Sequence, residues 1–295
     1  MQLHQIQYFL AVVDHKGINA AAATLGLAQP TVSQAIRELE RELGVDLFHR
    51  IGRGMVLTSA GHALVGPARR IMRDIVGAEG ALPDAAGQLR GRLDIYAQPA
   101  LSVDPVARLV GAFRREHPKV FVRIGDLRDE ETATSLIRDG HCEIVFCHLP
   151  IPGPEGLQVA ELGLQEFWIA FPPGTELPPE DPLPLSSLPD IRQVVVPRGW
   201  SYASQIEQAI TEAGQLRRPA AVVQHREARL PFVLAGVGSS FLERTMAEDA
   251  VPRGLVVRAP DPAISRAYGL VYDATSLSPS GQAFVELARS SRPAG

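Results

Sequence analysis

The stretch from Asn19 to Thr58, NAAAATLGLAQPTVSQAIRELERELGVDLFHRIGRGMVLT, decides how the chain begins to fold. Asn19 suits a helix N-cap, and Ala20 to Ala23 make a helix so slim that a second one can cross close against it. Leu25-Gly26-Leu27 ends that helix, with Gly26 supplying the left-handed residue a tight turn needs. A second helix begins at Gln29-Pro30, where proline fits a first turn. Val32, Ile36, Leu39 and Leu43 recur at helical spacing and read as its core side. Gln34, Arg37 and Arg41 then point outward, with Thr31 and Ser33 flanking them. Such a helix fits a major groove about 12 Å wide, and Gln34 and Arg37 are the candidates for reading base edges. His49 to Leu57, HRIGRGMVL, reads as two extended segments around a glycine-bracketed turn, a wing with Arg53 at its tip. Arginine there suits a narrow, electronegative minor groove or the phosphates beside it.

A solvated helix pair shows part of the same pattern, and charge does not decide between the two. Through Leu57 the bases Lys16, Arg37, Arg41, Arg50 and Arg53 are balanced by Asp14, Glu38, Glu40, Glu42 and Asp46. Phosphate contacts dominate DNA affinity, so a module with so few cations gains from being doubled in a dimer.

Working outward, Leu3, Ile6, Leu10 and Val13 give a helix face expected to pack under the reading pair. Thr58 suits the N-cap of a long helix reaching about Glu79, striped by Leu64, Ala68, Ile71, Met72, Ile75 and Val76. Two copies packed antiparallel would bury that stripe; packing on the chain's own C-terminal region is the alternative. Pro83 and Gly87 mark a hinge. From Gly91 the signals alternate. Strands are expected at Leu93–Ala97, Val120–Ile124, Glu143–Cys147, Glu166–Phe171, Gln193–Val196, Ala221–Gln224, Ser239–Leu242 and Ala267–Tyr272. Helices are expected at Val106–Glu116, Glu130–Asp139, Ser201–Gly214, Arg226–Ala235 and Ser278–Ser290. Alternation of this kind implies parallel strands joined by helical crossovers, and two such α/β lobes leave a cleft. Pro172 to Pro189 reads as a long connection.

Length and composition agree. At 295 residues, 45% hydrophobic and with a net charge of −4, the chain is long enough for about two domains with sizeable cores. The N-terminus MQLHQIQYFLAVVDHKG lacks the basic-then-apolar order of an export signal, and no apolar run is long enough to span a membrane. A cytoplasmic protein with no membrane partner is expected. Cys142 and Cys147 are the only cysteines, too few for a disulfide framework; buried inert thiols are expected over a redox pair. No metal motif, phosphate loop or other cofactor signal is present, so no cofactor and no enzyme activity are expected. Gly199-Trp200-Ser201-Tyr202-Ala203 approaches the hydrolase nucleophile elbow. Its last glycine is replaced, and only His225 follows it, with no clear acidic partner, so a hydrolase is disfavoured. A solute-binding protein would fit the C-terminal half alone.

The run Ala21-Ala22, Leu25-Gly26-Leu27, Gln29-Pro30-Thr31-Val32-Ser33, Ile36, Leu39-Glu40, Leu43-Gly44, Leu47-Phe48, Arg50, Leu57-Thr58 and Ala60-Gly61 resembles the N-terminal signature of the LysR-type transcriptional regulators. Weaker segments continue the likeness over nearly the whole chain: Gly91-Arg92-Leu93, Phe113 to Pro118, Leu136 to Gly140, Ala235 to Gly238 and Leu277 to Pro279. The resemblance implies a winged helix-turn-helix over residues 1–58 and a linker and dimerisation helix with hinge over 59–90. It further implies a two-lobed, periplasmic-binding-protein-like α/β effector domain over 91–295. Lobe I would take about 91–163 and 266–295, and lobe II about 164–265. It places Gln29, Pro30, Thr31, Ser33, Gln34 and Arg37 at double-stranded DNA and Arg53 on the wing. Ala20 stands where the family often has a basic residue, which removes one phosphate contact. The implied partners are promoter DNA, a small-molecule effector, further copies of the chain as a dimer and a tetramer, and possible contact with RNA polymerase.

Ligands of open α/β sheets bind outside the carboxyl ends of strands, where helix N-termini favour anions. Two loops answer to that place: Gln98 to Val103, with Pro99, Ala100, Leu101 and Ser102, and Pro197 to Tyr202. Ser102 and Ser201 can donate hydrogen bonds, Arg198 can pair with an organic anion, and Trp200 or Tyr202 can cover a ring. Cys147 and His148 are expected at the same cleft. The alternatives are rim packing for Trp200 and Tyr202, a solvated Arg198 and a backbone-bonded His148.

Overall fold

The computed structural model describes residues 1–51, 54–81, 88–197, 201–216 and 218–291. The chain begins with α1 (Leu3–His15), α2 (Ile18–Leu25) and α3 (Gln29–Leu43), followed by the strands β1 (Phe48–Ile51) and β2 (Gly54–Leu57) and the long helix α4 (Ser59–Ala81). Next come β3 (Gly91–Ala97), a helical turn α5 (Pro99–Leu101), α6 (Ala107–Glu116), β4 (Val120–Asp126), α7 (Ala133–Arg138), β5 (Ile144–His148) and the long strand β6 (Gln158–Phe171). The chain continues through β7 (Leu183–Pro184), β8 (Val194–Val195), α8 (Ser201–Glu212), β9 (Ala221–Val222), α9 (Arg229–Leu234), β10 (Ser240–Glu243) and α10 (Arg244–Ala250). It closes with β11 (Val256–Arg258), β12 (Pro260–Asp261), β13 (Ile264–Tyr272) and α11 (Pro279–Ser290).

The chain divides into two compact units. The first holds Met1–Cys147, Ile151–Ala160 and the stretch from Leu270; the second holds His148–Pro150 and Glu161–Gly269. The chain therefore passes between units within β5, after Pro150, within β6 and within β13.

In the first unit, α1 to α3 enclose a core of Ile6, Phe9, Val12, Ala21, Ala22, Val32, Ile36 and Leu39, with Leu47 and Phe48 closing it from the hairpin side. The face of α1 is centred on Ile6, Phe9 and Val12 rather than on Leu3, which is exposed. Asn19 lies inside α2, whose N-cap is Gly17, and Gly26 ends that helix in the left-handed conformation with φ of 67°. Thr58 caps α4 as expected, its Oγ1 accepting from Gly61 N–H at 2.9 Å. The apolar stripe of α4 is partly consumed by the chain's own head: Val65 and Ala68 are in its core, and Leu64, Ile71 and Met72 pack against it. Only the distal Val76 is left exposed. The other side of α4 meets the loop after α7. Arg70 donates to the Arg138 carbonyl at 2.6 Å and Arg73 to the Cys142 carbonyl at 3.2 Å. Gly66 lets the backbones close up, since a Cβ there would stand 2.7 Å from the Arg138 carbonyl oxygen. Two arginines one turn apart thus satisfy carbonyls at the end of α7 and in the loop that follows it.

In the same unit β3 lies between β4 and β5, parallel to both, as the alternation of strand and helix signals requires. In the second unit the expectation of parallel strands fails for the main pairings. β6 pairs antiparallel with both β10 and β11, while the short β8 and β9 are parallel. The strand expected at Glu166 begins eight positions earlier, at Gln158, and α10 and β11 carry no clear periodic signal. The second core gathers Phe167, Ile169, Phe171, Val196, Ile206, Ile210 and Phe241 between sheet and α8. No described helix is long and apolar enough to cross a membrane.

Candidate functional site

α3 starts with Gln29 and Pro30 in its first turn and ends on Gly44. Its core-facing arc is wider than the four-residue spacing suggested, because the alanines of α2 let it approach closely. Val32, Ser33, Ala35, Ile36 and Leu39 are all buried. Ser33 is therefore turned inward, against the expectation that it flanks the reading face. Leu43, expected in the core, is exposed at the helix end. The outward face carries Gln29, Pro30, Thr31, Gln34, Arg37 and Arg41, all exposed. The Gln34 amide is not loose: its Nε2 donates to Glu38 Oε1 at 3.0 Å, one turn on. That bond holds the amide to Glu38 and places an acid beside the outward face.

The hairpin forms where expected. β1 and β2 are antiparallel, with Phe48 opposite Leu57 and Ile51 opposite Gly54. Arg53, the expected wing tip, lies outside the described residues, as do Pro83 and Gly87. The corner between α3 and β1 is tied by Glu40, whose Oε1 accepts from Leu47 N–H at 2.8 Å and from Phe48 N–H at 3.3 Å. One carboxylate thus ties α3 to the start of the hairpin, beside the packing of Leu47 and Phe48 into the head core.

The effector candidates divide. Ala100 and Leu101 are buried in α5, so only their backbones could meet a ligand. The segment expected as a loop is that helical turn, running into a kink at Asp104 before α6. Pro99 and Ser102 are half-buried, and Ser102 Oγ donates back to the Gln98 carbonyl at 3.1 Å. Gln98 is buried and donates from Nε2 to Glu130 Oε1 at 2.6 Å. Cys147 and His148 are both fully buried. His148 Nε2 meets the Gln165 side chain, with Oε1 at 2.8 Å. Arg198 and Trp200 lie outside the described residues; Ser201 and Tyr202 open α8, and their side chains also lie outside the description.

Sequence reading missed the most strongly charged buried group. Arg226, Arg229 and Glu243 are all buried, with Arg226 Nη2 at 2.6 Å and Arg229 Nη2 at 2.9 Å from the carboxylate. Burial pushes the Glu243 pKa up, but Arg229 and then Arg226 outweigh it and hold the group below the ordinary carboxylate range. The signal available was an arginine pair on an otherwise apolar helix next to an acid ending a strand. Among the described residues, no cluster of three or more His, Cys, Asp or Glu is placed to hold a metal ion.

Comparison with known proteins matches residues 3–62 to the bacterial regulatory helix-turn-helix protein, lysR family, and residues 86–292 to the LysR substrate binding domain. The chain is 31% identical to the HTH-type transcriptional regulator ShiR of Corynebacterium glutamicum, over 81% of each chain. It is 28% identical to the HTH-type transcriptional regulator TcbR of a Pseudomonas species, over 91% of this chain and 89% of that one. Among solved structures, a full-length OxyR variant from Pseudomonas aeruginosa shares the fold with a TM-score of 0.72 at 21% identity, covering 100% of this chain and 99% of that chain. With both modules matched in order, the chain belongs to the LysR family of helix-turn-helix transcriptional regulators.

Proposed function

We propose that this regulator reads double-stranded promoter DNA through the outward face of α3 and the hairpin, under control of a small organic anion held by the effector domain. The observation that carries the reading is the exposed set Gln29, Pro30, Thr31, Gln34 and Arg37 on one side of α3, opposite a fully packed core side. A helix so arranged enters a major groove with its N-terminal residues at base edges. Ser33, turned inward, holds α3 on the head instead of touching DNA. Arg53, the wing tip expected from sequence, supplies a phosphate or minor-groove contact. The effector contacts come from Pro99, the Ala100 and Leu101 backbone, Ser102, Arg198, Trp200, Ser201 and Tyr202. The protein works in the cytoplasm as a homo-oligomer, with no catalytic activity of its own, and passes its signal to RNA polymerase.

The test is binding of the purified protein to a labelled DNA fragment from immediately upstream of its own coding region, with salt and competitor DNA titrated. A specific complex is expected to survive competitor. Gln34→Ala should relax base preference, with each lost base contact worth about 1–3 kcal/mol. Arg53→Ala should weaken binding to all sequences and lower the salt slope by about one. Equal binding curves for wild type and both variants would remove α3 and the wing from the DNA.

A further inference from the structure

The second unit contains a chamber of about 620 Å³, within the range of small-molecule sites. Of its described lining residues only Pro197 belongs to the two loops expected to meet an effector, and none is among the side chains named for contact there. Its inner wall is the second core itself: Val196, Ile206, Ile210 and Phe241 line it and are buried. Its outer side is open between the end of α8 and β9. There Leu216 and Val222 also line it, yet stand 54% and 57% exposed. Large aliphatic side chains at an open mouth over an apolar chamber are surface that water solvates poorly and that an apolar body would cover.

The polar groups of the wall give the occupant its charge. Arg229 is tied to Glu243, Gln215 Nε2 donates to the Ser186 carbonyl at 2.8 Å, and Glu207 is engaged elsewhere. Ser240 Oγ donates to the Val194 carbonyl at 2.7 Å. Arg218 is different: it lines the chamber at the exposed end of the mouth and forms no ion pair or hydrogen bond with the other described residues. We propose that this chamber is a second small-molecule site, taking an amphiphilic organic acid whose aliphatic body enters between α8 and the β8–β9 pair and whose carboxylate meets Arg218. Branched aliphatic side chains are the largest group in the wall, which suits a flexible alkyl body, and the guanidinium fork suits a carboxylate.

The probe is decanoate, with decanol as its uncharged counterpart, titrated calorimetrically into the full-length protein without DNA. Val195, half-buried on β8 and lining the chamber, is replaced by tryptophan to fill it; the exposed Arg218 is replaced by glutamine to remove the charge. Saturable decanoate binding is expected in the wild type. Val195→Trp should weaken acid and alcohol alike, by more than about tenfold. Arg218→Gln should weaken decanoate about tenfold and leave decanol unchanged, a difference of about 1.4 kcal/mol. Because Arg218 is exposed, that variant tests the site even if Val195→Trp does not fold. Absence of saturable binding overturns the proposal, and so does equal decanoate binding by wild type and Arg218→Gln, which would put the acid elsewhere. Self-association that Val195→Trp abolishes and decanoate leaves untouched also overturns it, assigning the chamber to a second copy. None of these outcomes bears on the DNA-reading assignment, which is measured separately.

Discussion

Arg69 on α4 approaches a ring nitrogen of His141, with Nη1 2.9 Å from Nδ1, while its Nη2 donates to Asp14 Oδ1 on α1 at 2.7 Å. One guanidinium therefore links the head, the linker helix and the loop after α7. Burial, and then the charge of Arg69, push the His141 pKa below its ordinary value of 6.5, with Asp139 and Asp14 opposing and Arg123 adding to the shift.

A lowered histidine pKa means the unfolded chain binds the proton more readily than the folded one. The stabilisation from neutral His141 is whole above pH 6.5 and is lost as pH falls below it. His141→Gln keeps a neutral acceptor for Arg69 and removes the titration. Its Tm should fall less between pH 7 and pH 5 than that of the wild type; parallel Tm curves would show that His141 does not couple to folding.

Gly66 offers a way to part α4 from that loop without touching either core. Gly66→Ala puts a methyl 2.7 Å from a backbone oxygen, which cannot swing away as a side chain could. Overpacking of this sort costs about 1–3 kcal/mol. Amide exchange should speed up at residues 138–142 while the protection of α1 to α3 stays at its wild-type level. Unchanged exchange at 138–142 would mean the helix and loop do not hold each other.

The buried Glu243 group should behave as a unit. Glu243→Gln removes the charge that two buried guanidiniums share, and breaking a buried pair in this way costs about 3–5 kcal/mol. Since the Glu243 pKa is lowered in the fold, its stabilisation is present above the ordinary carboxylate range and disappears as pH falls through its folded value. Urea unfolding should show a large gap between wild type and variant at pH 7 that narrows in acid. A constant gap would refute the charge assignment.

Cys142 should be chemically silent. Burial raises its pKa to about 12, and Cys147 is equally enclosed. Iodoacetamide at pH 8 should label neither thiol in the folded protein and both in urea. Rapid labelling of Cys142 in the native state would reopen a redox role.

What the sequence disclosed follows the range of the forces involved. The helix pair and hairpin were legible because capping residues, helical spacing and turn glycines act within a few positions. Ser33 and Leu43 were misplaced because the width of a buried arc depends on how closely the neighbouring helix comes, which the alanines of α2 determine. The antiparallel pairing of β6 with β10 and β11 was hidden, since local alternation does not say which strands meet. Of the effector candidates, Ala100 and Leu101 turn out to be core side chains, which local sequence does not reveal. The Arg69, Arg70 and Arg73 contacts could not be read, because each joins residues 55 to 72 positions apart.

Glu40 gives the head a property of another kind. Because one carboxylate oxygen fixes both amides at the start of β1, α3 and the hairpin form a caliper with a locked jaw. On the proposed reading, such a head measures the separation of adjacent grooves instead of adapting to it. Operators whose local twist alters that separation would be rejected even where every contacted base is right, and lengthening the turn at Gly44–Asp46 by one residue would reset the gauge.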